Sequence, residues 1–335
     1  MSENIVLHVN PSDNNAYATV AAALDVSLKL YKEKESDIVI ELAPGIYKER
    51  LEIYTHRLTI LGMGEDASQT VLTFDECANA INADGEKNGT FRTASLFIDA
   101  DNVTLKNLTV ENSAGSGVDV GQALALYADG DRLYFENCRF LGHQDTIFTA
   151  PLPPTVLQVN GFRGPKEFAP RRNQAHIYKD CYIAGDVDFI FGGAAAYFEN
   201  CEIYSEFRDK SVAGYTTAAS TPEGRKYGYV FNKYCFTSKC NPNTVYLGRP
   251  WRDFAKTVIV NSYLGEHIRK EGWHDWKKPQ AHELTFYAEY NNYGPGADTS
   301  ERVDFAHMLN AETARDYDFS TETLTNDEIF DKLNQ

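Results

Sequence analysis

Two stretches of this chain superimpose without a gap: Asn137 to Phe148 reads NCRFLGHQDTIF, and Asp180 to Phe191 reads DCYIAGDVDFIF. The register pairs Cys138 with Cys181, Gly142 with Gly185, Asp145 with Asp188, Ile147 with Ile190 and Phe148 with Phe191. Such repetition constrains the fold strongly, because both copies take the same local structure and bury their apolar positions against each other. Consecutive turns of a stacked-strand solenoid meet that demand. Equal phase then puts both aspartates on one face, with strand centres roughly 4.8 Å apart. Repetition alone builds a paired-carboxylate site.

A third copy opens at Asn200 and Cys201 (NCEIYS), and a looser one is NLTVEN from Asn107 to Asn112. An opening Asn or Asp followed by a small residue and alternating apolar positions predicts a polar ladder at a turn. It also predicts an inner stack of Cys138, Cys181 and Cys201, acting as core filler rather than as a disulfide or metal site. Short runs such as DIVIEL, RLTILGMG, TVLTF and TVIVNSYLG, separated by Gly, Asn and Asp, extend the same all-β solenoid along the chain. A solenoid leaves an open apolar end. Residues 16–35 supply an amphipathic helix to cap it, with Asp13 or Asn14 as N-cap and Lys32 and Lys34 suited to the helix dipole. From about residue 300 to 335 the strand pattern fades into a tail, where TNDEIFDKLNQ reads as a second short helix packed on the outside.

No Pro/Gly/Ser-rich linker divides the 335 residues, so residues 1–335 read as one elongated domain. No apolar run approaches a membrane span. With 48 acidic against 32 basic residues the formal charge is −16, which repels phosphate backbones and anionic membranes. Neither nucleic acid nor a membrane is an expected partner. The start MSENIVLHVN has no basic n-region or apolar h-region, so the expected location is cytoplasmic unless a leader has been lost. Six cysteines without CxxC spacing fit reduced thiols there. His143, His176 and His274 show no HxH or HExxH spacing, and neither a metal nor a cofactor is expected.

GQALALYADGDR from Gly121, GHQDTIF from Gly142, GDVDFIFGGA from Gly185 and YLGRPWRDFAKTVIVNSYLGEHI from Tyr246 carry a resemblance. In wording and order they are similar to the pectin methylesterase, or pectinesterase, family, with GIYKERL from Gly45 and GWHDW from Gly272 fitting its ends. The resemblance implies a right-handed parallel β-helix, hydrolysis of galacturonate methyl esters and no metal. Carried over by position, it makes Asp188 the nucleophile, Asp145 the acid/base, Gln122 and Gln144 the oxyanion-stabilising donors and Arg249 the partner of the nucleophile. It makes Trp251, Phe148 and Phe191 substrate-binding residues. Methyl-esterified homogalacturonan or oligogalacturonides are the implied partners, and with no visible leader, imported fragments rather than wall polymer.

The chemistry is coherent on its own terms. Ester hydrolysis needs a nucleophile, a proton donor for the departing methoxide and donors for the developing oxyanion. An arginine beside Asp188 favours its ionised form, and the like charge nearby pushes Asp145 toward its protonated form. Taken singly, an aspartate in a turn caps backbone; the shared phase of these two turns that reading around. Two other classes stay open: a glycosidase or lyase on the same solenoid, since carboxylates about 5 Å apart also describe a retaining glycosidase, and a non-catalytic carbohydrate-binding solenoid. The glutamines have no role in the first, and the second has no need of the whole set.

Asp145 and Asp188 are 43 residues apart, about twice one solenoid turn. The excess falls in residues 149–174, where Pro151, Pro153, Pro154, Pro165 and Pro170 break any regular strand. We read this insertion as a loop folded over the cleft, with Arg163, Lys166, Arg171 and Arg172 free to hold substrate carboxylates.

Overall fold

The computed structural model describes residues 5–335. The backbone winds through three parallel sheets of eleven, eight and seven strands. One turn contributes Leu133–Glu136 to the first sheet, Arg139–Leu141 to the second and Ile147–Thr149 to the third. The next contributes Ala175–Lys179, Tyr182–Gly185 and Val187–Gly192. The repeated segments pair in the register of their alignment, Phe140 with Ile183, Ile147 with Ile190 and Phe148 with Phe191.

Corners between the first and second sheets are nearly as short as a chain allows. Asn107, Asn137, Asp180, Asn200 and Asn261 occupy them with φ of 53, 51, 53, 52 and 52°. Asn and Asp tolerate this left-handed region better than other side chains because they bond locally. Stacked corners also bond to each other: Asn137 Nδ2 donates to Asn107 Oδ1 at 2.8 Å and Asn200 Nδ2 to Asp180 Oδ1 at 2.5 Å. This is the polar ladder of the sequence reading. The three cysteines that follow these corners point inward and are buried, with the Cys181 N–H donating to Cys201 Sγ at 3.1 Å.

Equal phase governs the interior too. Phe135, Tyr178, Phe198 and Phe231, one per turn, stack with ring centroids 4.6, 4.6 and 4.5 Å apart. Such a column is rigid, which matters for groups held on the outside of the same turns.

Helix Val20–Glu33 covers the N-terminal end and buries Val20, Ala23, Leu24 and Ser27. It begins later than the apolar pattern suggested, and neither Asp13 nor Asn14 is its N-cap. Thr19 fills that role, accepting from the Ala22 N–H at 3.2 Å, and Glu49 accepts from the N–H groups of Val20 and Ala21 at 3.0 Å each. Asp13 is committed to a turn, taking the Asn15 N–H at 2.9 Å, and Tyr17 pairs with Val9 before the helix can start. Lys32 sits in the last helical turn as expected.

At the other end, helix Asn326–Leu333 is closed by a capping box of Thr325 and Glu328. Ile329, Phe330 and Leu333 pack with Ile177, Tyr197 and Val230 on the outer face of the first sheet. Arg225 fastens the tail by donating to the Leu333 carbonyl at 2.7 Å. Among the described residues no helix is long and apolar enough to cross a membrane.

Candidate active site

The aspartate pair stands on the third sheet. Asp145 lies two residues before strand Ile147–Thr149, and Asp188 lies within strand Val187–Gly192. Both have positive φ, 66° and 50°, a conformation that costs about 1–2 kcal/mol for such residues. Ladder bonds hold it: the Asp145 N–H donates to the Val187 carbonyl at 3.0 Å. Between Val187 and Ile190 the pairing with strand Gly214–Ala219 shifts register, an irregularity that re-aims the Asp188 side chain. The repeated glycines have a matching reason. A Cβ on Gly142 would lie 2.8 Å from Thr146 Oγ1, and one on Gly185 would lie 2.3 Å from Phe189 Cβ. In each copy the residue after the aspartate folds back over the glycine.

Arg249 grips Asp188 through both oxygens, Nε to Oδ1 at 2.8 Å and Nη2 to Oδ2 at 2.6 Å. Its guanidinium is fixed from two sides, 3.8 Å from the Tyr215 ring centre and 3.7 Å from that of Trp276. Asp145 has no such partner. Burial first, and the Asp188 charge second, push its carboxyl well above the usual carboxylate range. Burial raises Asp188 as well, but the bidentate Arg249 bonds oppose that rise, so Asp188 is the more readily ionised of the two. A buried pair thus divides into a charged member and a protonated one.

Gln122 and Gln144 lie beside the pair, lining one cavity of about 360 Å³ with Asp145, Asp188, Arg249 and Trp251. Their backbones are pinned, with the Gln122 carbonyl accepting from Ala78 N–H at 2.8 Å and the Gln144 carbonyl from Ala123 N–H at 3.2 Å. Their side-chain amides carry no hydrogen bond to another described residue, leaving the N–H groups available to a ligand. Trp251 and Phe191 are on the cavity wall, ring centres 5.5 Å apart.

Phe148 is a correction. It is fully buried and absent from the cavity wall, because strand Ile147–Thr149 turns it under Phe91 and Phe191, each 5.0 Å away. It supports the aromatic floor from beneath without lining the cavity. The sequence reading missed Phe91, Phe162, Trp276 and Lys278, all of which line the cavity. Trp276 was within reach, since it closes the GWHDW motif; the others belong to no repeated pattern. Among the described residues no cluster of three or more His, Cys, Asp or Glu side chains is arranged to hold a metal.

The insertion does lie on this face: Val156, Leu157, Gln158, Gly161 and Phe162 line the same cavity. Its cations, however, are not free. Arg163 pairs with Asp84 at 3.0 Å and with Glu86, Lys166 with Asp99 at 2.7 Å, and Arg172 with Asp101 at 2.9 and 2.5 Å. Arg171 donates to the carbonyls of Lys166, Glu167 and Ala169 at 2.8, 2.8 and 2.6 Å. Carboxylates far back in the sequence take the charges assigned to substrate.

A parallel β-helix bearing two buried aspartates of unequal basicity, flanked by free amides in an aromatic-floored cleft, is the scaffold of a two-carboxylate enzyme. The sequence profile of the pectinesterase family matches residues 6–152 and 168–328. Pectinesterase 31 of Arabidopsis thaliana is 32% identical over 314 residues, covering 92% of this chain and 89% of that protein. Probable pectinesterase/pectinesterase inhibitor 64 of the same plant is 30% identical over 92% of this chain, which spans 49% of its length. Among solved structures, pectin methylesterase PemA from Erwinia chrysanthemi superposes with a TM-score of 0.73 at 27% identity, covering 96% of this chain and 98% of the other. A pectin methylesterase in complex with a hexasaccharide superposes with a TM-score of 0.74 at 27% identity and the same coverages. The chain belongs to the pectinesterase family, and its solenoid is the right-handed β-helix of those structures.

Proposed function

We propose that this protein hydrolyses methyl esters of galacturonate residues in pectin or pectic oligosaccharides, releasing methanol. The Asp188 carboxylate attacks the ester carbonyl carbon, and the amides of Gln122 and Gln144 donate to the oxygen that becomes negative. Neutral donors stabilise that oxyanion without trapping the anionic product. As the carbon–methoxy bond breaks, the protonated Asp145 gives its proton to the leaving oxygen. Asp145, now charged, takes a proton from water, which attacks the acyl carbon and frees galacturonate and Asp188. Trp251 and Phe191 offer a sugar ring a flat apolar surface.

The observation that carries this reading is the asymmetry of the pair: Asp188 bonded twice to Arg249, and Asp145 buried and held toward its protonated form. The test is incubation with highly methylated pectin, following methanol, chain length and unsaturated ends. Methanol release at constant chain length, surviving a chelator, is expected. Shortened chains or unsaturated ends would replace the esterase with a glycosidase or lyase.

We further propose action on short oligomers in the cytoplasm. All six cysteines are free, four of them buried, which supports a reducing compartment. Cell fractionation with detection of the native protein checks it, and recovery of the protein outside the cell would overturn it.

A further inference from the structure

The two tryptophans of the GWHDW motif have different surroundings. Trp273 is buried and stacked on Tyr287 with ring centres 4.4 Å apart, whereas Trp276 lines the cavity with its ring against the Arg249 guanidinium. The backbone reaches the second position only under strain. Trp276 and the following Lys277 are both left-handed, at φ 55 and 56°, and neither residue type takes this region readily. Such a pair persists when its amides are held. Asp275 holds the second, its Oδ1 accepting from the Lys277 N–H at 2.8 Å while its Oδ2 meets His282 Nε2 at 3.1 Å. His274 holds the first, its Nδ1 accepting from the Trp276 N–H at 2.8 Å.

The same imidazole reaches the other side of Arg249. The guanidinium lies between the rings of Trp276 and Tyr215. Tyr215 stacks in turn on Tyr246, 5.3 Å away and within 7° of parallel, and the His274 ring stands edge-on to both at 5.6 and 5.1 Å. One residue thereby braces both walls of the slot that holds Arg249. A backbone N–H only donates, so its bond to Nδ1 requires a lone pair there and a neutral ring protonated on Nε2. The surroundings favour that form. Tyr215, Tyr246, Arg249 and Arg269 face the ring from other segments, and Asp275 and Lys277 from its own. Burial holds the imidazole below the ordinary histidine value; Asp275 opposes that, and the cations reinforce it.

We propose that His274 is a positioning residue for the ester hydrolysis: as a neutral hydrogen-bond acceptor it fixes Trp276 against Arg249 and so keeps the guanidinium where it holds Asp188 ionised. His274 is absent from the cavity lining and acts through its neighbours. Without the acceptor, the Trp276 N–H loses its partner and the left-handed pair relaxes. Arg249 then loses one of the two rings that orient it, its grip on Asp188 loosens, and the Asp188 pKa rises. This inference rests on the esterase reading above.

Two measurements test it, one of them independent of activity. In protein carrying isotope-labelled histidine nitrogens, NMR at neutral pH should show His274, identified by the signal lost in His274→Asn, as the Nε2–H tautomer. A proton on Nδ1 overturns the proposal, whatever the protein hydrolyses. The second is the pH profile of kcat/KM for methanol release from a methyl-esterified oligogalacturonide. His274→Ala should move the acid limb to higher pH by about one unit, a roughly tenfold loss on that limb, the size of one oriented cation–π contact. His274→Asn should return it, because its Oδ1 replaces Nδ1 as acceptor for the N–H two residues on. An unmoved limb in folded His274→Ala overturns the proposal. So does a limb that moves equally in both variants, since the imidazole's charge rather than its acceptor then acts on Asp188. No methanol from the wild-type protein overturns instead the esterase reading, while the tautomer still decides whether His274 holds Trp276.

Discussion

Arg249 holds Asp188 by two parallel bonds of 2.8 and 2.6 Å, while Asp145, one turn of the solenoid earlier, shares the cavity without a cation of its own. The division of labour proposed for the two carboxylates rests on that difference. Arg249→Met removes the counterion and raises the Asp188 pKa, so the ascending limb of the kcat/KM–pH profile should move to higher pH. Breaking a buried pair should also cost about 3–5 kcal/mol of stability. Arg249→Lys, which cannot reproduce the bidentate geometry, should fall between. A pH profile unchanged in Arg249→Met would separate Asp188 from the rate.

Asp145 predicts a trade of stability against activity. Its folded-state pKa is raised, by burial first and Asp188 second. Its contribution to stability is therefore fully present below its unfolded pKa and is lost as pH rises through the folded value. Asp145→Asn keeps a neutral side chain throughout. Its Tm should match the wild-type Tm in acid near pH 4 and exceed it increasingly toward pH 8, while turnover nearly disappears. Thermal unfolding across that range checks the sign.

Gln122→Ala should lower kcat by about 10²–10³ and move KM less, the pattern of a donor whose bond strengthens in the transition state. Gln122→Glu should be worse, because a carboxylate faces the developing oxyanion. Steady-state kinetics on one methylated oligomer decides both. A change in KM alone would make Gln122 a ground-state contact.

The corner ladder is testable apart from the chemistry. Asn137→Ala forfeits the 2.8 Å bond to Asn107 and places alanine at φ 51°, so stability should drop by about 1–2 kcal/mol, with Asn137→Gly recovering part of the backbone share. Denaturant midpoints measure it.

The placement of Asp145 and Asp188 in one cavity was legible because the segment is written twice: their shared phase needs no knowledge of distant partners. The Asn corners and the cysteine stack were legible for the same reason. What escaped were contacts between segments that share no pattern. Nothing in the wording around Arg163, Lys166 and Arg172 reveals that Asp84, Asp99 and Asp101 wait on earlier turns to neutralise them. Phe148 and Phe191 are equivalent in the repeat, yet only Phe191 lines the cavity, because Phe91 comes in from a separate loop and covers Phe148. The helix start moved to Val20 because the Tyr17–Val9 bridge competes with helical structure there, a tertiary contact that local propensity does not contain.

The most direct measurement of the central claim uses Asp145→Asn with a nitrophenyl ester of galacturonate. Nitrophenolate leaves without protonation, so Asp188 can still be acylated, whereas deacylation lacks its base. The account predicts a burst of about one nitrophenolate per active site, followed by a slow phase. It also predicts a mixed anhydride that hydroxylamine cleaves, giving galacturonyl hydroxamate by attack at one carbonyl and, by attack at the other, an aspartyl hydroxamate adduct that peptide mapping assigns to Asp188. A folded Asp145→Asn protein with no burst and no adduct, or with the adduct on another residue, would contradict the assignment of Asp188 as nucleophile and Asp145 as acid and base.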